Sequence, residues 1–139
     1  MVDTSALGAT GTPFSLEVER GKIREFARAT FAPLPDDERP VAPPTFLTTA
    51  FHWQSSDSDP WEMVRMDPSR GLHAEQEFVF HGEPPRAGDR LVGTSRIEDI
   101  YEKTGKRGGT MTFVVMVTEF RDESGRLVAE SRLTGVETA

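Results

Sequence analysis

The sequence predicts an α+β domain in which an antiparallel sheet wraps around a helix. Three observations carry this. A stretch near the N-terminus has its apolar residues at helical spacing. A short apolar segment behind a proline cluster reads as a buried second helix. From Leu72 to the C-terminus the chain alternates between strand-like runs and turn sequences. At 139 residues, one domain is the expectation. Residues 13–139 are taken as that domain, behind a small, polar, mobile arm over residues 1–12.

The elements follow in order. Phe14–Val18 fits a short strand. Ile23, Phe26, Ala27 and Thr30 fall at i, i+3, i+4 and i+7, which predicts a helix over Glu19–Thr30. Pro33, Pro35 and Pro40 then stop it and hold an extended loop. Pro44 suits the first turn of a helix, and Thr45–Trp53 is apolar nearly all round, which predicts a buried helix. Trp61–Met66 adds one helical turn. In Leu72–His81, Leu72, Ala74, Phe78 and Phe80 share one face, and His73, Glu75, Glu77 and His81 the other. Leu91–Glu102, Thr110–Phe120 and Leu127–Val136 complete four meandering strands. Thr110–Phe120 is apolar on both faces, which predicts that a helix or a partner covers its second face.

Composition excludes several classes. The net charge of −7 argues against a nucleic-acid partner. With no cysteine there is neither a disulfide framework nor a thiolate metal site, and no cofactor is implied. No apolar run reaches the roughly 18 residues of a membrane span, and the first residues lack the basic start and apolar run of a leader. A cytoplasmic location is the expectation. Hydrophobic content of 36% is low for a self-contained monomer and leaves room for a partner to bury part of the surface.

The segments VERGKIREFARAT, VAPPTF, LHAEQEFVFH, PPRAGDRL, YEKTGKRGGTMTFVV and SGRLVAESRLTGVE, in this order, resemble the MaoC-like dehydratases. More narrowly they resemble the N-terminal-type, fatty-acid-synthase-like half, over about Phe14 to Val136. The resemblance implies a hot-dog fold and hydration of 2-enoyl thioesters of CoA or acyl carrier protein to the (R)-3-hydroxy form, with the reverse dehydration. Enzymes of that family carry an Asp and a His five residues apart in a G-D-x-N-P-x-H loop after the first helix. A carboxylate and an imidazole together hold one water and move its proton. Here that region reads TFAPLPDDERPVAPPTF, with no His from Thr30 to Phe51. Asp36 and Asp37 are read as solvated loop acids. The resemblance therefore implies no catalytic residue on this chain and a catalytic hot-dog paralogue as partner, in a heterodimer or heterotetramer.

The same resemblance turns Thr45, Phe46, Thr48, Thr49 and His52 into candidate walls of the acyl tunnel. The competing reading for Thr45 and Phe46 is capping and packing. His52, beside Trp53 on the predicted buried helix, reads as a packing residue and is the first histidine to test should the chain do chemistry. His73 and His81 lie about 26 Å apart along an extended strand at ~3.3 Å per residue, too far for one site, and read as surface or interface groups. Lys103, Lys106 and Arg107 are candidates for the CoA phosphates, or else a solvated hairpin turn. Alternatives are a self-sufficient hot-dog hydratase, a thioesterase or a non-enzymatic acyl-binding scaffold. A thioesterase needs an acid near the central helix, and Glu62 and Asp57 are poorly placed for it.

Overall fold

A computed structural model describes residues 1–106 and 108–139. Five strands form one antiparallel sheet: β1 (Phe14–Glu17), β2 (Gly71–Phe80), β3 (Arg90–Thr104), β4 (Thr110–Arg121) and β5 (Leu127–Glu137). The helix α1 spans Arg20–Ala29, and a 3-10 helix spans Phe46–Trp53. Each predicted element is present within two residues at either end.

The strand order is β1-β3-β4-β5-β2. Only β3, β4 and β5 form the expected meander. β2 lies beside β5 at one edge, because β1 occupies the free side of β3. The loop from β2 to β3 therefore has to cross the sheet. It does so through Pro84 and Pro85, and is held by backbone bonds from Ala42 N–H to Pro85 O (2.8 Å) and Ala87 N–H to Pro40 O (2.9 Å).

Both helices pack on one face of the sheet. Ile23 and Ala27 of α1, Phe46, Leu47 and Ala50 of the 3-10 helix, and Phe14, Leu16, Leu91 and Phe120 of the strands make the main core. Phe46 is fully buried and meets Phe26 edge to face, with centroids 5.7 Å apart. Phe14 lies over Gly93, where a Cβ would come within 2.3 Å of its ring. Any side chain at 93 would displace that ring. A second cluster joins Ile97 and Val114 of the sheet to Val2, Ala6 and Val64.

Residues 1–12, expected as a mobile arm, contribute Val2 and Ala6 to that second cluster. Val2 and Ala6 are buried, Thr10 bridges to Arg96, and Gly8 and Gly11 donate to the Ile97 and Ser95 carbonyls, both at 2.9 Å. The segment runs on along β3 beyond β1. Its small residues, read as a sign of mobility, are what let it lie against the strand.

Among the described residues no helix covers the second face of β4. Val117 is buried there between Arg96 on β3 and Arg132 on β5. Arg96 binds Glu98 (2.8 Å) and Glu119 (3.2 Å), and Arg132 also binds Glu98. The arginine stems lie over the valine while their heads are paired at the surface.

Two local features have measurable consequences. α1 ends with Ala32 N–H donating to Ala27 O (2.8 Å), which forces Phe31 into a left-handed conformation at φ 57° while its ring is 96% exposed. Glycine suits that position. Phe31→Gly is expected to raise the unfolding free energy by about 0.5–1 kcal/mol, the relieved strain less glycine's entropy; urea denaturation measures it.

Glu137 is buried at the end of β5. It accepts from Asp67 N–H (2.8 Å) and from Arg70 (2.9 Å). The Asp67 N–H bond first, then the N-terminal ammonium of Met1 and the charge of Arg70, lower its pKa below the ordinary carboxylate value against the opposing effect of burial. A lowered folded-state pKa stabilises above the unfolded value and loses that contribution as pH falls through the folded one. Glu137→Gln is expected to cost about 1–2 kcal/mol at pH 7, given the half-exposed Arg70. The gap from the native chain should close below roughly pH 4 in denaturation curves taken across pH.

Candidate functional site

The face of the sheet under the helices carries a cavity of about 390 Å³. Its roof is the 3-10 helix, through Leu47, Thr48, Ala50 and Phe51. Its floor is Met116, Thr118 and Phe120 of β4 with Ser131 and Leu133 of β5, and its wall at the sheet edge is His73 and Gln76 of β2. The lining is mostly apolar with a few polar groups, as in small-molecule sites.

The polar groups are held in place. Ser95 and Thr118 share a hydrogen bond across β3 and β4 (2.8 Å), and Gln54 at the end of the 3-10 helix reaches Ser95 (3.3 Å). Gln76 Nε2 donates to Ser131 (2.8 Å). Asp59 also lines the cavity, but its carboxylate accepts from Trp61 N–H (3.0 Å) and caps the helical turn Pro60–Val64.

The residues expected from the sequence separate into two groups. Thr48 lines the cavity. It is exposed rather than buried, and its hydroxyl donates to Thr45 O at 2.8 Å. Thr45, Phe46, Thr49 and His52 are not among the lining residues. Phe46 is core, Thr49 is buried with its hydroxyl on Phe46 O (2.8 Å), and Thr45 is exposed at the helix start. The helix is one-sided, not buried all round, and Phe51 is 64% exposed. His52 lies on that outer side with its ring 4.0 Å from the Phe51 ring, so it is not the histidine of this cavity.

That histidine is His73. The β2–β5 register shifts between His73 and Glu75, because Ala74 is an extra residue in a bulge. His73 pairs with Gly135 and Gln76 with Leu133, so both face the helices together with Phe78 and Phe80. Strict alternation had put His73 on the outer face and Leu72 on the inner; the bulge reverses both. The other missed residues left a trace. Thr118 and Ser131 are polar at positions whose neighbours two away, Met116, Phe120, Ala129 and Leu133, are apolar.

Lys103 lies on the opposite face of the sheet, its ammonium 5.1 Å from the Tyr101 ring and 5.2 Å from the Phe113 ring. Lys106 is exposed in the hairpin turn, and Arg107 lies outside the described residues. Both lysines lie toward the β3–β4 turn and neither lines the cavity. His81 pairs with Glu130 at 2.8 Å. Asp36, Asp37, Asp57 and Glu62 are exposed. Among the described residues no cluster of His, Asp and Glu could hold a metal ion, and no helix is long and apolar enough to cross a membrane.

Residues 5–131 match the family model described as FAS1-like, dehydratase domain region. The chain belongs to this FAS1-like dehydratase family. Within the family's reach, it is 34% identical to a UPF0336 protein of Streptomyces griseus, over 91% of this chain and 89% of the relative. The C-terminally truncated HadBC (3R-hydroxyacyl-ACP dehydratase) complex from Mycobacterium tuberculosis has a chain 29% identical to it. That match covers 96% of this chain and 98% of the other at a TM-score of 0.75. A MaoC-like dehydratase, 23% identical over 96% of this chain and 42% of its own, superposes at a TM-score of 0.77. The FAS1-like dehydratase chain therefore has the α+β hot-dog fold of the MaoC-like dehydratases.

Proposed function

We propose that this chain is the accessory, tunnel-shaping subunit of a heteromeric (R)-specific 2-enoyl-thioester hydratase, equally a 3-hydroxyacyl dehydratase. A partner hot-dog subunit supplies the acid and the imidazole. The observation that carries this reading is an apolar cavity opening beside an unpaired ten-residue edge, β2, in a chain with no histidine between Thr30 and Phe51. An open strand edge invites pairing with another chain. The likeness to a chain of a two-component 3R-hydroxyacyl-ACP dehydratase supports the same arrangement.

In this reading the reaction adds water across the C2=C3 bond. The hydroxyl goes to C3 and a proton to C2, through the partner's acid and base. This chain binds the acyl group against Leu133, Met116 and Phe51 and keeps bulk water away from it. Gln76 and Thr118, fixed by Ser131 and Ser95, orient what lies near the cavity mouth. The carrier is CoA or acyl carrier protein.

A tag on this chain should capture a hot-dog protein with an Asp/His loop from the source cells, and the pair should hydrate crotonyl-CoA. A stable monomer at high concentration, with no hot-dog protein captured, would refute the accessory role. Thr48→Trp fills the cavity roof without burying a charge. In the assembled complex it is expected to lower kcat/KM for long acyl chains at least tenfold while short chains change little. Kinetics unaltered across acyl lengths would remove Thr48 from the tunnel.

A second reading rests on one observation: His73 and Asp59 line the same cavity, as a self-sufficient hydratase would need. Against it, Asp59 is already engaged as a helix cap.

A further inference from the structure

Trp61 sits at a boundary. Beyond the cavity described above lies a second one of about 380 Å³, lined by Met66, Pro68, Leu72 and Gly135. Trp61, His73 and Leu133 line both. The Trp61 ring lies directly on Gly135, where a Cβ would come within 2.6 Å of its far edge. Only glycine leaves room for the ring against the strand.

The ring is carried on a short, well-anchored turn. Asp59 caps the turn through Trp61 N–H, Val64 is fully buried under it, and Arg65 closes it in a left-handed conformation at φ 51°. Met66 packs against the same glycine. The ring is only partly buried, packed on one side against the second core cluster and open to solvent on the other.

We propose that Trp61, seated on Gly135, is the divider that sets the length of acyl chain this subunit accepts. This rests on the acyl-cavity reading above. The first chamber takes the portion of the chain next to the thioester. The second, apolar apart from His73, is continuous with it once the indole is removed or turned aside. Tryptophan suits the role because it fills a chamber's cross-section with a rigid apolar plate.

The test uses the complex captured through this chain and saturated acyl-CoA thioesters from C6 to C20. These bind but have no C2=C3 bond to hydrate, so calorimetry reads affinity free of turnover. For the native complex, affinity should rise with chain length and then level off. In Trp61→Ala, and in the milder Trp61→Leu should the first fold poorly, the rise should continue for several more carbons. The longest chains should gain at least tenfold, since one methylene in an apolar pocket discriminates by about 10–200-fold. Adding Leu72→Trp, at an exposed position on the rim of the second chamber, should abolish that gain. A plateau unmoved in both Trp61 variants, with native binding intact, overturns the divider and leaves the acyl cavity standing. Absence of binding by the native complex at every length overturns the acyl cavity and the divider with it.

Discussion

Phe46→Ala is expected to destabilise the domain by about 3–5 kcal/mol, the range for deleting a fully buried phenylalanine. The ring meets α1 through Phe26 while also filling the main core. Its loss leaves a void among rigid neighbours and loosens the roof of the cavity. Domains of this size are stable by roughly 5–15 kcal/mol, so the variant should stay folded near room temperature with a melting midpoint lower by on the order of 10–20 °C. Differential scanning calorimetry measures this. A loss below about 1 kcal/mol would mean that the helix is held by something other than Phe46.

The isolated chain is expected to hydrate crotonyl-CoA at least a hundredfold more slowly than the captured complex. General acid–base groups contribute about 10²–10⁴ each to such a step, and the segment where the family carries its Asp/His loop has no histidine and only the exposed Asp36 and Asp37. His73→Ala makes the measurement decisive. In the complex it should change the rate by less than about tenfold, as the loss of a wall residue. Turnover by the pure chain alone, abolished by His73→Ala, would instead make this subunit an enzyme in its own right and His73 its imidazole.

The contrast between His52 and His73 shows how far the sequence could be read. Strand and helix limits were legible because period-2 and helical patterns are local. Phe14–Val18, Thr110–Phe120 and the Ile23/Phe26/Ala27/Thr30 face are all found where the pattern put them. Which strand neighbours which was not legible from the same patterns, since β2 and β5 are brought together by the sheet as a whole. Nor was the bulge at Ala74, a one-residue event that leaves the composition of LHAEQEFVFH unchanged and exchanges its two faces. The candidate site depended on both. Thr48, expected on a tunnel wall, lines the cavity because its helix forms the roof. His73, Gln76 and Ser131 were missed because they need the β2–β5 register.

The place of β2 at the far edge also fixes an order of events during synthesis. β3, β4 and β5 are joined by short turns and can pair as each hairpin is completed. β2 is made before all three, yet among the described residues the strand it pairs with is β5. Gly71 must wait for Glu137. Until β5 has been made, β2 has two open edges and LHAEQEFVFH has no sheet to join. Contacts this distant in sequence slow folding, because the loop between them must be closed before they stabilise anything. The wall of the cavity that holds His73 and Gln76 is therefore the last part of the site to form. A chain cut short by even the last strand would have the helices and the core residues of β3 and β4 but no binding chamber.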